Sequence, residues 1–167
     1  WHIKVLTASL VLLTAGYLAQ VVSPLRLNTD AILYLRMASS LSDGNGFEAA
    51  REMHFFPVGY PSLLAILDGV GWGASWAFIG LNYLFLALGL TASFALYRES
   101  FAFGRSLSLL LCSLSMASFI MIKHVTLPNS EIVFFGAMML TLQGFQRVKR
   151  SSHPTRMVWW LLIVPGT

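Results

Sequence analysis

The chain has 167 residues, of which 56% are hydrophobic and only 11% charged, and its mean hydropathy is +0.70. A soluble domain carries about twice that share of charge, so the composition points to a domain that sits in a bilayer. The formal net charge of +4 comes from basic residues placed between apolar segments, with no basic stripe interleaved with aromatics, and nucleic acid is set aside as a partner.

Cys112 is the lone cysteine and lies in an apolar run. An intrachain disulfide and a cysteine zinc site are both ruled out, and the residue reads as small apolar packing. Length suits one domain.

The first element is "IKVLTASLVLLTAGYLAQVV", residues 3–22, with a single charge at its start. It has the ~20 residues needed to cross a membrane and is too long for the core of a signal peptide. Pro24 ends it.

Residues 23–57 form the longest polar region, with Asp30, Asp43, Glu48, Glu52, Arg26, Arg36 and Arg51. Within it, "DAILYLRMASSL" repeats apolar residues at 31, 34, 35, 38 and 41. That spacing predicts an amphipathic helix over about 30–41, lying in the membrane interface and stopped by Gly44 and Gly46. A second interfacial helix is expected over about 61–70, with Pro61 at its first position.

Three more spans are expected at 74–97, 106–122 and 130–146, and the start of a fifth near Met157. The fifth stops after about half the length a span needs, so the sequence reads as a fragment whose missing part is C-terminal. The fold class expected is therefore all-α: polytopic transmembrane helices with interfacial amphipathic helices in the first external loop.

The loops set the orientation. Lys4, Arg98, Arg105, Arg147, Lys149, Arg150 and Arg156 fall on one side. Arg26, Arg36, Arg51 and Lys123 fall on the other and share it with four acids. The positive-inside rule puts residues 23–57 outside the cytoplasm, in a multi-pass protein of a bacterial inner membrane or its equivalent.

Two acids are candidates for chemistry. Asp30 falls at the start of the interfacial helix, where a partly desolvated carboxylate suits a general base or a ligand for a hard cation. Pattern alone favours the plainer reading, in which the acid complements a helix start. Glu131, in "HVTLPNSEIVFF", sits at the start of the fourth span. Its plainer reading is again helix-start chemistry, with Asn129 or Ser130 as the cap. Lys123 and His124 precede it and are candidates for holding a phosphate at headgroup depth; Lys123 fits better as a residue snorkelling to water. Arg51, His54 and Tyr60 flank the proline turn and are candidate substrate-binding residues. Asp68 faces water, and Asn82 bonds to a neighbouring helix. "SDGNGF" follows no strand and reads as a helix stop, not a nucleotide loop.

The ordered set resembles a known family. The first span is followed by an Asp and then Tyr34, Ala38, Leu41, Gly44, Gly46 and Phe47. After these come "PVGYPSLLAIL", a span closed by "LYRESFAFGRS", and "KHVTLPNSEIVFF". Over roughly residues 3–146 this is similar to the N-terminal part of the GT-C superfamily of polytopic glycosyltransferases. That group includes protein O-mannosyltransferases, aminoarabinose transferases and bacterial transferases of the dolichyl-phosphate-mannose mannosyltransferase type.

The resemblance implies transfer of a sugar from a polyprenyl-phosphate carrier to a lipid, glycan or protein acceptor on the extracytoplasmic face. It implies that Asp30 is the essential acid of the first external loop, as a base on the acceptor or as a ligand to a divalent metal, the candidate cofactor. It makes Glu131 a second catalytic acid and His124 the basic residue before it. Ala31 stands where several members carry a second acid, and Val58 where a second proline is common. Two alternatives stay open: a lipid-linked glycan ligase or polymerase of similar fold, and a non-catalytic transport or scaffold protein.

Overall fold

A computed structural model describes residues 2–21, 25–46 and 57–150, and all regular structure among them is helical. There are seven helices among the described residues: α1 (His2–Val21), α2 (Thr29–Ser42), α3 (Gly59–Gly69), α4 (Ser75–Glu99), α5 (Arg105–Met116), α6 (Phe119–His124) and α7 (Ser130–Arg150). The expected fifth span, Arg51 and His54 lie outside the described residues.

The longest element is α4, and its closest packing is with α7. The two helices run parallel: Gly89 of α4 meets Phe135 and Gly136, and ten residues later Glu99 meets Arg147. Glycine is required at this seam. A Cβ on Gly89 would come within 2.6 Å of Phe135 Cε1 and 3.0 Å of the Gly136 Cα. A Cβ on Gly136 would collide with the Phe85 carbonyl. Small residues let backbones approach this closely, as in membrane helix pairs.

α1 and α5 complete the bundle. Tyr17 of α1 donates to the Met116 carbonyl at 2.6 Å, and Tyr83 of α4 donates to the Tyr17 carbonyl. The Tyr17 and Tyr83 rings pack edge to face, 6.3 Å apart.

At one end of the bundle lies a second layer made by α2 and α3. Tyr34, Met37 and Ala38 of α2 pack against Tyr60, Leu64 and Ala65 of α3, with Phe78 and Val133 beneath them. α2 starts because the Asn28 side chain accepts from the Ala31 amide at 2.7 Å, which satisfies a donor the first turn leaves open. It stops at Gly44, whose φ of +78° suits glycine.

α4 is the one helix among the described residues that is long and apolar enough to cross a membrane, judged by length and composition. α1 and α5 contribute shorter apolar stretches, Thr7–Gln20 and Arg105–Met116.

The segment expected as a single span over 106–122 is two helices. α5 ends at Met116, and α6 starts after Ser118, whose Oγ accepts from the Met121 amide at 3.4 Å. Serine explains the break. Ser108, Ser113 and Ser115 each bond back to the carbonyl four residues earlier, at 3.1, 2.9 and 3.0 Å, a habit that bends helices. Ser118 then caps a new start.

A candidate polar site at one end of the bundle

Four parts of the chain meet at the end covered by α2 and α3. The first is the start of α2. Asp30 lies in its first turn and is exposed. Capping falls to Asn28, so the Asp30 carboxylate is not occupied in that task.

Tyr34, one turn further on, shares Asp30's face of the helix. It is buried, and its hydroxyl lies 3.3 Å from Ser130 Oγ at the start of α7. This contact joins the turn that carries Asp30 to the turn that carries Glu131. A second tie runs beside it, because the Arg26 amide donates to the Thr126 carbonyl at 3.3 Å.

The 125–129 loop is the second part. Val125, Thr126, Leu127 and Asn129 are all buried. Asn129 precedes α7, the place where a cap was expected, yet neither its Nδ2 nor its Oδ1 makes a hydrogen bond among the described residues. Ser130 turns its hydroxyl to Tyr34 instead.

His124 and Glu131 flank this loop. His124 Nδ1 lies 3.4 Å from Glu131 Oε1, at ion-pair distance but outside hydrogen-bond alignment. The histidine side chain is largely buried, and the glutamate is 44% exposed. Glu131 therefore reaches solvent while touching a ring behind it. Lys123 parts from its neighbour: its Nζ sits over the Phe119 ring, 5.9 Å from the centroid, on the exposed side of α6. It does not join the cluster.

Tyr60 is the third part. It is 4% exposed, packs edge to face on Tyr34 at 5.4 Å, and donates to Asn82 Oδ1 at 3.5 Å. Burial pushes its phenol well above the usual tyrosine range, and the nearby Glu131 carboxylate and Tyr34 push it further. It stays neutral and donating wherever this protein works.

Asn82 of α4 is the fourth part. It is completely buried, and its amide donates to three carbonyls of the 124–127 segment. Sequence reading gave it a neighbouring helix as partner. The signal for the larger role is an amide in an otherwise uncharged span, which is expensive unless satisfied. Asp68, by contrast, is exposed at the far side of α3.

Of the residues singled out from sequence, the structure brings His124, Glu131 and Tyr60 together, and joins the Asp30 turn to them through Tyr34. Among the described residues, no three His, Cys, Asp or Glu side chains gather in a set that could hold a metal ion. Asp30 alone does not make a metal site.

Comparison with known proteins adds no relative: no family model, no curated protein and no solved structure matches this chain.

Proposed function

We propose that this chain is a multi-pass membrane glycosyltransferase domain that moves a sugar from a polyprenyl-phosphate carrier to an acceptor hydroxyl or amide on the extracytoplasmic face. The observation that carries the reading is the Tyr34–Ser130 contact at 3.3 Å, which gathers two exposed acids at one end of the bundle. The resemblance of the sequence to the GT-C superfamily supplies the reaction class.

The surface supports a bilayer setting. α7 exposes Phe134, Met138, Leu142 and Phe145 as one stripe, and α5 exposes Leu107, Leu110 and Leu114. α1 adds Val11, Leu12 and Leu18, and α4 adds Leu84 and Leu88. Soluble monomers rarely expose apolar surface that runs on so far. Aromatics mark both ends of α4. Trp72 and Trp76 are exposed at the end bearing the site, and Tyr97, Phe101 and Phe103 cluster at the other. Trp76 and Tyr97 are separated by about 32 Å of helix, close to the ~30 Å of a hydrocarbon core.

The chemistry proposed is a displacement at the anomeric carbon. An acceptor oxygen or nitrogen forms the new bond while the bond to the carrier phosphate breaks, and the phosphate leaves with the electron pair. Asp30, exposed and not needed as a cap, takes the acceptor proton. His124, held beside Glu131, offers a ring N–H donor to the phosphate. Membrane placement explains why such a carboxylate belongs here. A prenyl tail keeps the scissile bond at headgroup depth, and an interfacial helix delivers Asp30 to that depth.

The break at Ala117–Ser118 favours a second reading, since broken helices are a mark of transporters. One experiment separates the two. Membranes holding the protein, expressed from its full gene, are given radiolabelled polyprenyl-phosphate sugars. The glycosyltransferase reading expects label on an acceptor, and a loss of at least 100-fold in Asp30→Asn at equal abundance. Equal transfer by both proteins removes Asp30 from the chemistry. No transfer of any common sugar by the wild type favours the transport reading.

A further inference from the structure

Asn82 does more than satisfy itself. α6 is only six residues long, and the last carbonyls of such a helix have no partner inside it. Asn82 Nδ2 reaches the end of α6 and the loop after it from α4, donating to Leu127 O at 2.6 Å, Val125 O at 3.2 Å and His124 O at 3.4 Å; the first and last of these also accept a backbone N–H, from Asn129 and Leu127. Two N–H bonds serve three carbonyls, so one is shared. The other end of the same amide accepts from Tyr60 of α3. One primary amide thus closes the end of α6, sets the path of the loop toward Glu131 and fixes the ring that packs on Tyr34. No group of equal size without N–H donors can do this: leucine has the volume but no donor.

We propose that Asn82 is a positioning residue for the site. By clamping the backbone of residues 124–127 it holds His124 and Glu131 in register with Tyr60 and with the turn that carries Asp30. The proposal rests on the reading of this end of the bundle as the transfer site. Asn82 is wholly buried and touches no reacting atom; it acts through the loop.

The test has two arms in one set of variants. In a Cys112→Ala background, Val125→Cys places one thiol in the loop, at a position that is wholly buried. Its reaction with a membrane-impermeant maleimide is timed with and without Asn82→Leu. In parallel, turnover and donor KM are measured for Asn82→Leu in the otherwise unchanged protein. The clamp predicts labelling at least tenfold faster, kcat at least tenfold lower, and a donor KM within threefold of wild type. Asn82→Ser, which keeps one donor, should fall between the two, and it carries the test if the leucine variant does not fold. Unchanged labelling overturns the proposal whatever turnover does. Faster labelling with unchanged kcat also overturns it, leaving Asn82 a packing residue. A wild type that transfers nothing defeats the proposed reaction, and the labelling arm alone then decides whether Asn82 holds the loop.

Discussion

At one end of the bundle, Asn82, Tyr60 and Tyr34 tie backbone and side chains together in the interior; at the other, Glu99 meets Arg147 and Arg150 in the open. The first set is buried, and a partner stranded there away from water costs about 1–3 kcal/mol per group. The second is an exposed pair: Arg147 Nη2 sits 3.2 Å from Glu99 Oε1 with both side chains more than a third exposed. Such pairs contribute about 0–1 kcal/mol. Polar residues are present at both ends, yet only one end uses them to fix geometry. That contrast, more than the count of charged residues, is what the proposed site rests on.

The comparison can be broken by prying its two halves apart. Gly136→Val forces a side chain against the Phe85 backbone and should separate α4 from α7, which link both ends. A cost of about 3 kcal/mol or more is expected, seen as a fall of roughly 6–12 °C in the thermal midpoint of the detergent-solubilised protein. An unchanged midpoint would mean that the helices are not seated on these glycines.

Asn82→Leu sharpens the contrast from the buried side. It strands the Val125 carbonyl and the Tyr60 hydroxyl, while the His124 and Leu127 carbonyls each keep one backbone N–H, and should cost about 2 kcal/mol in chemical unfolding.

Tyr60→Phe removes a single long hydrogen bond and should cost about 1 kcal/mol near neutral pH. Its pH dependence is more telling. The folded phenol ionises above the unfolded value of about 10. Above that pH the unfolded chain loses the proton first, so Tyr60's contribution is full below about pH 10 and is lost as pH rises further. The stability gap between wild type and Tyr60→Phe should therefore shrink in alkali. A gap that stays constant to pH 11 would place Tyr60 in water.

Glu99→Gln is the smallest expected change, under about 0.5 kcal/mol, and smaller still at high salt. An effect as large as that of Asn82→Leu would erase the distinction between the two ends.

Sequence periodicity carried much of this. The interfacial helix expected at 30–41 runs Thr29–Ser42, and that expected at 61–70 runs Gly59–Gly69. The apolar segment at 74–97 is α4, Ser75–Glu99. Five things were not legible. The break at Ala117–Ser118 escaped because hydropathy does not register serine bonding back to its own helix. The capping residue of α2 is Asn28, two positions before the Asp30 expected at the helix start, since a cap is set by backbone dihedrals that composition does not reveal. Asn82's three carbonyls escaped because periodicity assigns a residue to a face and says nothing of what lies opposite. Tyr34 likewise counted as one more apolar position in a helix, although its hydroxyl links α2 to α7. Gathering Glu131 with His124 needed the turn between α6 and α7, and only the fold provides it.

The central claim of the proposed function is that the two ends lie on opposite sides of a membrane, with the acids outside. Single cysteines replacing Asp30, Glu131 and Lys149 in the Cys112→Ala background test it most directly, by labelling intact cells with an impermeant maleimide. All three native side chains are exposed, so access depends on the membrane alone. Asp30→Cys and Glu131→Cys should label in intact cells, and Lys149→Cys only after permeabilisation. Equal labelling of all three in intact cells would contradict the account, because α4 would then not cross the bilayer between the site and the basic end.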